Sequence, residues 1–234
     1  MTQQIMLQVQ DLSKTFTLHT QGGAKLPVFD GVNLAVGAGQ CIALTGASGA
    51  GKSTLLRSLY ANYRPSSGQV LVRHRDAMFD LTGAEPRLQL EIRRETIGYV
   101  SQFLRVIPRI PAEEIAAEAA VAGGMDDAKA LDAARALLQR LNLPERLWSV
   151  PPATFSGGEQ QRVNIARGLI RSFPILLLDE PTASLDAENR NVAAALIMEA
   201  KAKGAAIVAI CHDKTVRAEI ADAVFDVSAF QAAA

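Results

Sequence analysis

The stretch Gly46-Ala47-Ser48-Gly49-Ala50-Gly51-Lys52-Ser53 constrains this chain more than any other. It has the form G-x-x-x-x-G-K-S, in which glycines let successive backbone N–H groups turn inward on a polyphosphate. The five residues before it, 41–45, are an apolar run and read as a buried strand. Residues 53–60 after it read as a helix. Strand, glycine-rich loop and helix N-terminus together make an anion site. Residues 46–51 and Thr54 supply backbone around the phosphates, Lys52 a point charge on the outer phosphates, and Ser53 a hydroxyl for Mg²⁺.

Composition narrows the setting. The 234 residues carry 24 basic and 24 acidic side chains, a formal net charge of zero. No nucleic-acid footprint is indicated. Cys41 and Cys211 each sit in a short apolar run and read as buried thiols of a reducing compartment. Residues 1–7 lack the basic and apolar regions of a signal peptide. No apolar run approaches the about 18 residues of a membrane span. The expectation is a soluble cytoplasmic chain, peripheral to a membrane only if another chain does the spanning.

Along the chain, residues 5–10 read as a strand, 19–27 as a loop, 28–36 as a strand and 37–39 as a turn. Residues 69–73 and 77–81 read as a hairpin and 87–94 as a short helix. Residues 96–101 read as a strand ending at Gln102. Residues 113–121 and 125–141 are Ala-rich and helix-periodic, with Asp126 or Asp127 as a cap for the second. A helix over 159–171 follows, then a buried strand over 174–180 ending in two carboxylates and a helix over 187–203 stopped by Gly204. Residues 205–211 and 222–227 read as the last strands. This is an α/β chain with a mostly parallel sheet covered on both faces, a β-rich front and an all-helical insertion.

Ligands of a parallel α/β sheet bind outside the carboxyl ends of its strands. Four apolar strands here deliver polar groups only at their tips: the loop at Gly46, then Gln102, then Asp179-Glu180, then His212. Asp179 suits a Mg²⁺-holding acid acting through water. Glu180 suits a general base for an attacking water. Gln102 cannot titrate and is a positioning group for that water and the metal. His212 can hydrogen-bond the terminal phosphate and hold Glu180 in line.

Ser156-Gly157-Gly158-Glu159 opens a second helix that reads as an anion site. One nucleotide does not need two complete cradles from one chain. A head-to-tail, two-fold pair satisfies both, with Ser156, Gly157 and Gly158 of one copy closing over the phosphate held by Lys52 of the other.

In this order, these motifs resemble those of an ATP-binding cassette (ABC) ATPase over nearly the whole chain. The match comprises the loop at 46–53, Gln102, the signature at 156–160, the Walker B run at 175–180, the D-loop at 184–186 and the switch His212. The resemblance implies a P-loop NTPase of ABC type that hydrolyses ATP with Mg²⁺. It implies one nucleotide-binding domain over 1–234: an antiparallel β lobe plus core from 1–102 and 171–234, and a helical lobe over 103–170. It places Phe16 on the adenine, where Tyr is commoner, and Glu159 at a nucleotide-binding position where Gln is usual. Partners would be a second copy or another ABC subunit.

A narrower resemblance lies in residues 56–63, 100–109 and 143–148, which look like the cassette subunits of bacterial carbon–phosphorus lyase (phosphonate degradation) systems. It implies an accessory ATPase acting on that soluble complex. The general pattern also resembles lipoprotein-release and macrolide-type exporter ATPases, for which the partner is a membrane permease. In both cases Phe103, Leu104, Val106 and Ile107, within 103–111, are the expected partner-reading surface, the alternative being that they pack under the helical lobe. A DNA-repair cassette is disfavoured, since no coiled-coil or zinc-binding insertion separates the motifs. There is no cysteine cluster for an iron–sulfur centre, so carbon–phosphorus cleavage would belong to partners.

Overall fold

Strand β1 (Ile5–Leu18) and strand β2 (Ala24–Gly37) pair antiparallel for most of their length in the computed structural model, which describes residues 3–18, 20, 22–105 and 108–232. Both strands are longer than their sequence pattern predicts. Alternation puts Leu7 and Val9 in the core, then breaks at a register shift between Val9 and Leu12. Asp11 takes the bulge, with a φ of 47°, and its carboxylate accepts from Asn33 across the pair at 2.9 Å. A bulge inserts one residue and resets the period, so Leu12 is buried again. Residues 24–27 are strand rather than loop. Pro27 is tolerated because β2 is an edge strand.

Strands β4 (Ser67–His74) and β5 (Ala77–Asp80) complete a four-stranded antiparallel sheet of order β2-β1-β4-β5. The second sheet contains β3 (Cys41–Thr45), β6 (Ile97–Val100), β7 (Ile175–Asp179), β8 (Ala206–Ile210) and β9 (Ala223–Asp226). Its order is β6-β7-β8-β3-β9 and every pairing is parallel. Every residue of β7 and β8 is buried, which is why these strands read as continuous apolar runs.

Alternate residues of the central strands feed two different cores. Ile42, Leu44, Leu177 and Val208 face the antiparallel sheet and α1 (Lys52–Leu59). Leu176, Leu178, Ile207 and Ala209 face the helical side. That side holds α3 (Ala112–Ala122), α4 (Asp127–Arg140), α5 (Gly157–Leu169) and α6 (Ala187–Ala202). Helix α2 (Pro86–Glu95) leads into β6. Asp126, one of the two predicted candidates, caps α4 by accepting from the backbone of Ala128 and Lys129. Helix α7 (Lys214–Ile220) has no counterpart in the sequence reading. Asp213 caps it, and Val216 and Ile220, four apart, are its buried residues. Among the described residues, no helix is long and apolar enough to cross a membrane.

Helix α5 lies close against β6 because residue 168 has no side chain. A Cβ there would overlap the Val100 side chain, which is buried and stiff at χ1. Overpacking of this kind costs about 1–3 kcal/mol. Gly168→Ala should therefore lower Tm by about 2–12 °C for a chain of this size, read by calorimetry. An unchanged Tm would mean that α5 can shift off the sheet without loss.

Candidate active site

Strands β3, β6, β7 and β8 run parallel, so their carboxyl ends share one edge of the sheet. The loop 46–51 leaves β3 there and becomes α1. Gly51 is the residue before the helix, with φ of 93° and no side-chain cap. A Cβ on it would lie 2.6 Å from Val28 Cγ1, so both conformation and space require glycine. The first amides of α1 are left without a capping side chain and are available to a ligand. Ala47 N donates to Ser228 Oγ at 3.2 Å. Ser228 follows β9 and ties the loop from behind, a contact that no motif announces.

Lys52 is only 9% exposed. Its ammonium donates to Gly46 O and Ala47 O, both at 2.9 Å, and no carboxylate pairs with it among the described residues. A nearly buried cation with carbonyl partners alone fits an anionic ligand such as a polyphosphate. Ser53 Oγ donates to Asp179 Oδ1 at 3.1 Å, which places two hard oxygen donors together and fits Mg²⁺. Asp179 is 1% exposed. Burial pushes its carboxyl above the usual range, and hydrogen bonds from Ser53 and Tyr99 pull part of the way back.

Glu180 stands at the centre of the edge. Its backbone has φ of 51°, a strained value for a residue with a Cβ, and its N–H donates to Ile210 O at 3.1 Å. Its carboxylate lies 2.8 Å from His212 Nε2 through one oxygen and accepts from Gln102 Nε2 at 3.2 Å through the other. The structure thus joins three strand ends through one side chain. Thr54 follows Ser53 inside α1.

Two predicted positions look different in place. Ser156 caps α5 in a full capping box: its Oγ accepts from Glu159 N at 3.3 Å, and the Glu159 carboxylate accepts from Ser156 N and Oγ at 2.8 Å each. Glu159 therefore puts negative charge at the helix start that was expected to be open for an anion. Its carboxyl is held below the usual range by the Ser156 backbone bond first. A Cβ on Gly158 would lie 2.9 Å from Ser184 O, so close packing on the 184–186 loop accounts for one of the two glycines without a ligand. Gly157 and Ser156 remain exposed. Phe16 sits in β1 opposite Leu26. Its ring meets Tyr63 edge-on at 5.3 Å and carries the Lys14 ammonium at 4.6 Å from its centroid.

The expected partner surface divides. Phe103 is 71% exposed and Leu104 is 7% exposed. Val106 and Ile107 lie outside the described residues. Phe103 belongs to a groove of about 790 Å³ whose walls include Arg57, Tyr63, Tyr99, Arg93 and Arg167. Cys41 and Cys211 are free and buried, and burial pushes both thiols up to about 12, which leaves them inert. His74, Glu91 and Glu95 also cluster, but Arg75 bridges both carboxylates, at 2.6 and 3.2 Å, and meets their charge from within the chain.

Comparison with known proteins agrees with this geometry. The family described as ABC transporter matches residues 29–183, about two thirds of the chain. The lipoprotein-releasing system ATP-binding protein LolD of Shewanella frigidimarina is 40% identical over 94% of this chain and 89% of its own length. The pyoverdine export ATP-binding/permease protein PvdT of Pseudomonas aeruginosa is 37% identical over 91% of this chain, which spans 31% of that longer protein. Among solved structures, a dimeric ATP-binding cassette in a post-hydrolysis state bound to ADP and Pi has a TM-score of 0.83 and 28% identity, with 95% of each chain covered. The fold is that of such cassettes, and the chain belongs to the ABC transporter family, as an ATP hydrolase that uses ATP with Mg²⁺.

Proposed function

We propose that this chain is the nucleotide-binding subunit of an exporter-type or lipoprotein-release-type ABC machine, and that it hydrolyses ATP held between two cassettes. One observation carries the catalytic part: Glu180 is hydrogen-bonded to both Gln102 and His212 at the strand edge that also holds Lys52. Glu180 accepts the proton of the attacking water. Gln102 orients that water from one side, and His212 fixes the carboxylate from the other. Lys52 and those amides of 46–54 that no protein group takes would hold the phosphates, and Ser53, Gln102 and Asp179 would hold the metal, Asp179 through water. Mg²⁺ held by these residues would neutralise charge on the phosphates. Phe16 would stack on the base once the Lys14 ammonium, now 4.6 Å from its ring centroid, makes way.

A second copy completes the site. Ser156, Gly157 and Gly158 are exposed or half-exposed on their own chain, and the related cassette of known structure is a dimer. Ser156→Arg should block closure of the pair while leaving ATP affinity within about threefold of wild type. Binding by calorimetry and mass by light scattering check this. An equal loss of ATP affinity would mean that Ser156 serves its own chain's nucleotide.

The relatives support a permease as the partner, and the groove beside Phe103 is where it would dock. They include a lipoprotein-release and a pyoverdine-export protein at 40% and 37% identity, so they favour the group without selecting one member. A second reading has its own support. Two of the three stretches that look like carbon–phosphorus lyase cassettes, 56–63 and 100–109, contribute residues to that same groove, where a soluble partner complex would be read. Affinity purification of tagged Glu180→Gln from its native host with ATP and Mg²⁺, followed by mass spectrometry, separates the two. A multi-span permease in stoichiometric yield supports the first reading; soluble phosphonate-degradation subunits overturn it in favour of the second.

A further inference from the structure

The Asp179 carboxylate has one donor on each oxygen. Ser53 Oγ lies 3.1 Å from Oδ1, and the Tyr99 hydroxyl donates to Oδ2 at 3.2 Å. Terminal carboxylate torsions are broad and roughly two-fold, so something must select the orientation that turns Oδ1 toward Ser53. A carboxylate that is 1% exposed also needs partners on both oxygens. Tyr99 answers both needs from a fixed place. Its backbone is in β6, and its ring packs on Tyr60 with centroids 4.9 Å apart and a tilt of 38°. The same side chain stands in the wall of the groove with Arg57, Tyr63 and Phe103, and Arg57 is anchored there by a 3.1 Å bond to the Tyr63 hydroxyl.

We propose that Tyr99 is a positioning residue that holds the Asp179 carboxylate in its metal-ready orientation and links the metal site to the partner groove. This rests on Asp179 being the acid that holds Mg²⁺. It gives the groove a second connection to the chemistry. Gln102 reaches Glu180 from the groove, and Tyr99 reaches Asp179 from it. A partner that shifts β6 or α1 at the groove therefore acts on the water-activating group and on the metal-holding group together.

The test uses the full chain carrying Glu180→Gln, with Mn²⁺ as the probe and ATP saturating, read by electron paramagnetic resonance. Tyr99→Phe keeps the ring on Tyr60 and removes only the hydroxyl. Outer-shell partners of metal ligands are worth about 10–100-fold in metal affinity, and Tyr99 stands one bond further out, since Asp179 holds the metal through water. Tyr99→Phe should accordingly weaken Mn²⁺ binding by about fourfold or more, while ATP binding in EDTA stays within about twofold. Unchanged Mn²⁺ affinity, or an equal loss of metal-free ATP binding, would overturn the proposal and leave Tyr99 a packing residue. Asp179→Asn in the same assay separates the levels of failure. If Asp179→Asn weakens Mn²⁺ binding and Tyr99→Phe does not, only the role of Tyr99 falls. If neither does, the metal assignment falls with it.

Discussion

Glu180→Gln is expected to slow steady-state ATP hydrolysis by about 10²–10⁴-fold, the range that a positioned general base contributes, and to leave ATP binding intact. The substitution is close to isosteric. The amide oxygen of the new side chain can still accept from Gln102, and its NH₂ can donate to His212 Nε2 in the tautomer that carries its proton on Nδ1, so the strand ends remain joined. The positive φ at Glu180 is no worse for Gln, so the backbone has no new reason to move. What disappears is the ability to take a proton from water. Rapid-quench measurement of phosphate release checks this, alongside calorimetric ATP binding. Hydrolysis within about threefold of wild type would move the base elsewhere, and His212, whose side chain is 62% exposed, would be the next candidate.

Lys52→Ala has the other large effect. The ammonium is a side-chain cation placed at the loop, and its present partners are the carbonyls of Gly46 and Ala47. Hydrogen bonds to charged groups are worth about 1.5–3 kcal/mol each, and Lys52 can offer more than one to a polyphosphate. Removing it should cut ATP affinity by about 100-fold or more. It also leaves a cluster of carbonyls with no cation beside them. The fold should survive, because α1 is held by Leu55, Leu56 and Leu59, all fully buried. Circular dichroism confirms folding and calorimetry gives the affinity. Wild-type turnover in this variant would contradict the site assignment.

The meeting of Lys52, Gln102, Asp179, Glu180 and His212 at one edge was legible because the sequence places these groups at strand tips. Each of β3, β6, β7 and β8 is an apolar run that ends in a group able to do chemistry, and parallel pairing brings those ends together. The cap of α4 was narrowed to Asp126 or Asp127, whereas the Ser156-x-x-Glu159 spacing is also a capping-box pattern, and that use of Glu159 was not drawn from it. The long strands β1 and β2 were not legible. The bulge at Asp11 breaks the period, and Pro27 reads as a loop residue until its edge position is known. Helix α7 has only seven residues, too few for helical periodicity to stand out. Tyr99 and Ser228 were missed for a different reason. Their roles come from contacts 80 and 181 residues away in sequence, and neither falls in a motif. The partner is the least legible feature, because it depends on the few residues that face one groove.

The central claim is that two copies share each ATP. The most direct measurement is the mass of Glu180→Gln by light scattering, with and without ATP and Mg²⁺. One chain weighs 25.0 kDa. The account predicts that addition of ATP doubles the mass, that removal of nucleotide returns it, and that Ser156→Arg in the same background stays at the single-chain mass. A particle that remains at 25.0 kDa with saturating ATP at every protein concentration would contradict the shared site.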